Sequence, residues 1–298
     1  MQIQDIMPKV LDLIEKTHES LSASAIRTGY DELDRIIEGL YPGELAVIAG
    51  TEELRESFAQ NIILNQLKEK RDSSILVISP KMSKERYAMS LLSIISEIPI
   101  SSISQANPPM DQADRDGIAL ANETLHKSNI QISDNRMIEG KNDFSEFEKL
   151  YSASTLDLIV VDDLESIDFK VEKKPHPTDQ SETEVNKNIK TIKPTREIVV
   201  ALKISILNDI ARRFHIPLLV TFNGSLNELD ADPLVNVIDS FFSYADLVLE
   251  LDDERLGQTG LVDINVRKCK HGQIGNTSLY YCDELACFDS ADLGDQQL

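Results

Sequence analysis

Cysteine is scarce: among 298 residues only Cys269, Cys282 and Cys287 occur. Their number and spacing fit neither a disulfide framework nor a zinc site, so a reduced, cytoplasmic setting is expected. No apolar run approaches the roughly 18 residues of a membrane span, and the first residues carry no signal-peptide pattern, so no membrane association is expected. An excess of positive charge is missing too. The formal net charge is −21, which means that any contact with nucleic acid must come from a local basic patch rather than from the whole surface. No Cys–His or Ser–His–Asp arrangement can be assigned from spacing, which removes the support for nucleophilic hydrolase chemistry. What remains is a globular composition, 41% hydrophobic and 27% charged, with ample length for one large α/β domain or two small ones.

The informative stretch is Glu44 to Phe58. An apolar run, Leu45 to Ala49, passes through a short polar segment into a helix-like stretch, Phe58 to Lys68. A phosphate-binding loop sits at such a strand–turn–helix junction and needs G-x-x-x-x-G-K-[ST]: small residues so that backbone N–H groups can wrap phosphate, a lysine for charge and a hydroxyl for Mg²⁺. In that register the positions hold Ala49, Leu54, Arg55 and Glu56, followed by Ser57. Leucine stands where glycine should allow close approach, and Glu52, Glu53 and Glu56 place three carboxylates where an anion should bind. Like charges about 4 Å apart repel by roughly 1 kcal/mol even in water.

Further along, Ser74 to Ser79 is a second buried strand, Leu156 to Asp163 is the clearest strand in the chain, and Ile216 to Phe222 is another. An apolar run ending in Asp162 is what a Walker B strand looks like, with a carboxylate placed to reach Mg²⁺. Helical periods mark Ser83–Ile98, Ile118–His126 and Glu197–Phe214, with a loop expected over Ser101–Asp116. Residues 1–21 read as an amphipathic helix with Ile3, Ile6, Val10, Leu13 and Ile14 on one stripe, giving an arm or linker over residues 1–24. From Asp168 to Arg196 the composition changes: Lys170, Lys173, Lys174, Lys187, Lys190, Lys193 and Arg196 stand among prolines and few large apolars. That segment, residues 168–196, reads as a mobile loop.

The order of motifs carries a resemblance. Thr28-Gly-Tyr-Asp-Glu-Leu-Asp34, Gly39-Leu-Tyr-Pro-Gly-Glu-Leu45 and the apolar strand that follows are similar to the entry of the motor domain in the replicative DnaB-type helicase family. Ala245-Asp-Leu-Val-Leu resembles that family's Ala-Asp-Leu-Ile strand. Arg267-Lys-Cys-Lys-His-Gly-Gln-Ile-Gly275 resembles its glycine hairpin, whose cations reach into the next subunit's ATP site. The resemblance implies an α/β, RecA-like P-loop NTPase fold over residues 25–298, a mainly parallel central sheet flanked by helices with antiparallel C-terminal strands. It implies roles by position. Lys81 stands where the family has the glutamate that polarises water, Asn223 where a glutamine senses the γ-phosphate, Lys268 at the first hairpin cation and Lys270 at the arginine finger. The basic loop falls where the family places DNA-binding loops.

The departures collect at one site: Leu54, Glu56, Lys81, Asn223 and Lys270. The expectation is therefore a helicase-like protein with no intact catalytic residue and no cofactor, a structural or regulatory subunit in DNA replication or related DNA transactions. Its expected partners are itself or a replicative helicase subunit, with weak binding of single-stranded DNA. The alternative is an ATP-dependent helicase with a non-standard loop, in which Arg55 replaces the lysine, Asp162 holds Mg²⁺ and ATP is the cofactor.

Overall fold

A computed structural model describes residues 6–9, 11, 25–105, 109–135, 137–138, 147–148, 155–169, 196–224 and 237–291. The strands are β1 (Leu45–Gly50), β2 (Ser74–Ile78), β3 (Asn129–Ser133), β4 (Met137–Ile138), β5 (Leu158–Val161) and β6 (Asp168–Phe169). They continue with β7 (Leu218–Asn223), β8 (Leu247–Asp252), β9 (Leu261–Cys269), β10 (Gly275–Cys282) and β11 (Cys287–Ser290). The labelled helices are α1 (Asp31–Ile37), α2 (Glu52–Glu69), α3 (Lys84–Ser96), α4 (Ile100–Gln105), α5 (Gln112–His126), α6 (Arg196–Phe214), α7 (Val237–Tyr244) and α8 (Leu256–Thr259).

Nine strands form one sheet in the order β11-β10-β9-β8-β1-β7-β5-β2-β3. The six from β8 to β3 are parallel, whereas β9, β10 and β11 add an antiparallel meander to the edge of β8. The near-continuous apolar runs of β1, β2 and β5 are buried along their whole length, as strands covered by helices on both faces require. Alternate side chains feed two cores. Ala46 and Ile48 join Leu54, Phe58, Ile62 and Ile63 of α2, while Leu45, Val47 and Ala49 join Ile204, Leu207 and Ile210 of α6.

The Thr-Gly-x-x-x-Leu-Asp entry has a local cause. The Asp34 carboxylate accepts from Thr28 N (2.8 Å), Thr28 Oγ1 (2.8 Å) and Gly29 N (3.1 Å), which ties the chain to α1 before β1 begins. Gly29 adopts φ +86°, and a Cβ there would lie 2.6 Å from the Asn65 side chain, so both backbone conformation and space demand glycine.

Two local expectations are corrected. The segment expected as a loop over Ser101–Asp116 contains α4 and the start of α5, which Asp111 and Asp114 close with a reciprocal capping box. An aspartate at the third position, in place of the usual Glu or Gln, hid that signal in the sequence. The segment after β1 is also not a turn. Thr51 alone separates β1 from α2, so the helix begins at Glu52, six residues before the expected Phe58. Most of the amphipathic arm lies outside the described residues; residues 6–9 and 11 are helical, with Met7 and Leu11 exposed.

Candidate nucleotide site

The parallel topology brings the C-terminal ends of β1, β7, β5 and β2 side by side, with β7 between the strand that leads to the loop position and the strand that ends in Asp162. At this edge the helical start of α2 turns Arg55 inward. Its backbone N–H bonds to Thr51 O (3.1 Å), so it is spent on the helix ladder. Its side chain is fully buried. The guanidinium Nη1 donates to Thr221 Oγ1 (2.6 Å) and lies 3.5 Å from Asp162 Oδ1, while Nη2 lies 3.8 Å from Glu56 and 4.0 Å from Glu52. Nε and Nη2 have no hydrogen-bond partner among the described residues, so Coulomb attraction rather than hydrogen bonding holds that side of the guanidinium.

Asp162 is almost equally buried, accepting from Ser79 Oγ (2.9 Å) and Thr221 Oγ1 (3.0 Å). Burial pushes its carboxyl up from the ordinary range, against the pull of Arg55 and the two hydroxyls. Thr221 is the hub: its hydroxyl donates to Asp162 and accepts from Arg55 and from Asp163 N (2.8 Å). Burial, then Asp162, push Glu56 up to about 7. Lys81 bridges Asp163 Oδ2 (2.7 Å) and Glu52 Oε1 (3.1 Å) over the outer side. Burial works to raise Asp163, but the hydrogen bonds from Lys81 and Ser166 outweigh it and hold this carboxyl below the usual range. The three glutamates that the sequence set against an anion thus have different surroundings: Glu52 and Glu56 face the two cations, and Glu53 shares a proton-requiring hydrogen bond with Asp283 that raises it.

The other residues singled out by the sequence fall as follows. Ala49 and Leu54 are buried, Leu54 in the core beneath α2. Ser57 pairs with Tyr281 Oη (3.2 Å). Asn223 ends β7 at the same edge, exposed and beside Gly50 in register. Lys268 and Lys270 lie at the opposite edge, because β9 runs antiparallel to β8 and ends where β1 begins. Lys268 caps α7 by donating to Phe242 O and Ala245 O. Lys270 pairs with Glu44 (2.8 Å) and Asp246 (3.3 Å), and His271 Nε2 also lies on Glu44 (2.6 Å). Both candidate finger cations are engaged within their own chain. Of the basic stretch, Lys170, Lys173, Lys174, Lys187, Lys190 and Lys193 lie outside the described residues. Arg196 opens α6 and grips Glu165 with two hydrogen bonds (2.6 and 2.7 Å).

Sequence reasoning missed Thr221, Ser79 and Asp163 as members of the site. Thr221 carried a signal, being the one hydroxyl inside the apolar run Leu218–Phe222. Ser79 and Asp163 merely lie just past the ends of buried strands, which is too common a pattern to read.

Several known proteins are similar to this chain. The replicative DNA helicase DnaC of Bacillus subtilis (strain 168) is 25% identical over 291 residues, covering 96% of this chain and 61% of that protein. The replicative DNA helicase DnaB of Geobacillus stearothermophilus is 25% identical over the same length and covers 96% and 61%. The chain therefore spans about three-fifths of the length of these relatives. Among solved structures, a DnaB-like replicative helicase, described with its interactions with primase, superposes with a TM-score of 0.72 at 17% identity, covering 97% of this chain and 67% of that one. A second solved structure, an isolated ATPase domain, gives the same score over 96% of this chain and 98% of its own. These likenesses establish a DnaB-like, RecA-type ATPase fold. Residues 25–290 match the DnaB-like helicase C-terminal domain family, and the chain belongs to that family.

Proposed function

We propose that this chain is a DnaB-like domain in which an internal ion-pair network takes the place of nucleotide, so that it acts as a structural or regulatory subunit in DNA replication or a related DNA transaction, not as a motor. The observation that carries the reading is the position of Arg55. A guanidinium meant for phosphate would face solvent, and the loop before it would present free N–H groups. Here the loop residues are helical, the guanidinium is sealed against Thr221 and Asp162, and Glu52 and Glu56 face it.

Phosphoryl transfer depends on positioned cations and Mg²⁺ and on little else. Asp162, the carboxylate best placed for Mg²⁺, is occupied by a cation and two hydroxyls. Lys81 cannot serve as a carboxylate base. An ATP-using alternative requires α2 to unwind by about one turn and Arg55 to leave three carboxylates.

The partner class we favour is a second copy of this chain or a replicative helicase subunit, as the family membership suggests. The basic stretch Lys170–Arg196 supports a weak contact with single-stranded DNA, whose affinity should fall steeply with salt because each phosphate contact releases counterion. Turnover and assembly test the reading together. Purified protein should show no ATP hydrolysis above a blank, with or without single-stranded DNA, while sedimentation shows association with itself or with a replicative helicase that is lost on removing residues 1–24. Hydrolysis abolished by Asp162→Asn, or monomers under every mixing condition, would overturn it.

A further inference from the structure

Cys282 closes β10 and Cys287 opens β11, and the two stand directly opposite each other in the antiparallel ladder. Opposed residues in such a pair have Cα atoms about 4.5–5.5 Å apart, inside the range that a disulfide bridges. The two thiols are close enough to share a hydrogen bond. Cys282 is exposed and Cys287 partly so, and both are reduced. The third cysteine cannot compete, because Cys269 ends β9 at the far edge, where its sulfur lies against Gly272 N (3.1 Å) and Ile37 O (3.6 Å).

We propose that Cys282 and Cys287 form a reversible dithiol–disulfide site that clips the edge strand β11 to β10. The oxidant is a low-molecular-weight disulfide. The exposed Cys282 thiolate attacks one of its sulfurs and expels the first thiolate. Cys287 then gives its proton to water and attacks the Cys282 sulfur, expelling the second thiolate as the internal S–S bond forms. Two protein thiols lose two electrons in all, and one small disulfide gains them to become two thiols. The order follows from exposure: burial pushes the Cys287 thiol up to about 11, so it resolves and does not initiate.

The strand that is clipped matters to the rest of the molecule. Phe288, next to Cys287, packs edge-on against Phe58 with ring centroids 5.2 Å apart, and Ala286 O accepts from Asn61 Nδ2 (3.0 Å). Phe58 and Asn61 belong to α2, the helix that carries Arg55. Oxidation therefore fixes the strand on which that helix rests.

Equilibrating the reduced full chain with oxidised and reduced glutathione, quenching with an alkylating reagent and mapping peptides tests this. The expected product is lighter by two hydrogens, has Cys269 as its only alkylated cysteine and carries the bond between Cys282 and Cys287. Backbone amides of β11 should then exchange more slowly by about tenfold, since a short closed loop removes open states. Cys287→Ser should stall at a glutathione adduct on Cys282, and Cys282→Ser should give no internal bond and no slowing. Persistent adducts on the unsubstituted chain, disulfide-linked dimers, failure to oxidise at any ratio, or a bond that leaves β11 exchange unchanged would each overturn the proposal.

Discussion

Arg55→Ala should destabilise the fold by about 3–5 kcal/mol, the range for removing one partner of a buried ion pair and leaving the other uncompensated. The guanidinium is fully buried and faces Asp162, Glu56 and Glu52. Its loss strips the adjacent cation from a buried carboxylate and leaves the Thr221 hydroxyl one donor short. A solvent-facing loop residue kept for phosphate would instead change stability by about 0.5 kcal/mol or less on truncation. The two roles are thus separated by a large factor in a simple urea melt. Combining Arg55→Met with Asp162→Asn should restore much of the loss, because the double variant removes charge from both sides and leaves no orphan. Equal and additive losses in the two single variants would show that the pair is not coupled.

The second large effect depends on pH. Glu56 titrates at about 7 in the folded chain against 4.5 for the free group, mainly because burial disfavours its charge and then because Asp162 repels it. The folded state therefore holds this proton to higher pH than the unfolded state does. Below about pH 4.5 both states are protonated and the group is neutral for stability. As pH rises from there through about 7, the unfolded chain ionises first, so stability falls and then levels off. The attraction of Arg55 and Lys81 is already included in that balance and does not reverse it. Asp162, also raised by burial, pushes the same way.

Glu56→Gln keeps the shape and removes the charge. Converted at about 1.36 kcal/mol per unit, the shift sets a ceiling near roughly 3 kcal/mol; partial solvent exposure of the side chain lowers the expectation to about 1–2 kcal/mol. The variant should be more stable than the parent above about pH 7, and the gain should shrink as pH falls toward 4.5. Urea midpoints at about pH 5 and about pH 8 measure it. A gain that is larger at the acid end, or a loss at the alkaline end, would place a favourable ion pair at Glu56 and contradict the burial argument.

The fold was legible in the sequence because its parallel strands are buried on both faces and read as unbroken apolar runs, from Leu45–Ala49 to Ala245–Leu251. The antiparallel hairpin was legible from its glycine turn at Gly272–Gly275, although β9 and β10 run further than the apolar pattern alone indicated.

The site was legible only in part, and the reason lies in Thr51-Glu-Glu-Leu-Arg-Glu56. That string is a helix start in its own right: a capping-type residue, two acidic residues in the first turn where the helix dipole favours them, then strong helix formers with no glycine. Reading it as a loop came from the family register and set local propensity aside. Once the segment is helical, Arg55 and Leu54 both turn toward the interior, and the glutamates become partners of internal cations rather than a barrier to an external anion. Lys268 and Lys270 were misjudged for another reason. Their nearest partners, the carbonyls that end α7 and the carboxylates of Glu44 and Asp246, are distant in sequence and are brought close only by the pairing of β8 with β9.

The central claim, that this chain's own side chains occupy the place of nucleotide, is tested most directly by thermal unfolding with and without MgATP. A site of micromolar affinity, saturated at millimolar ATP, would add about 4 kcal/mol and raise the midpoint on the order of ten degrees. The account predicts no shift up to millimolar MgATP in the unsubstituted chain, and a measurable one only after glycine, lysine and threonine are placed at 54, 55 and 56. A saturable rise in the unsubstituted chain that Asp162→Asn abolishes would contradict it.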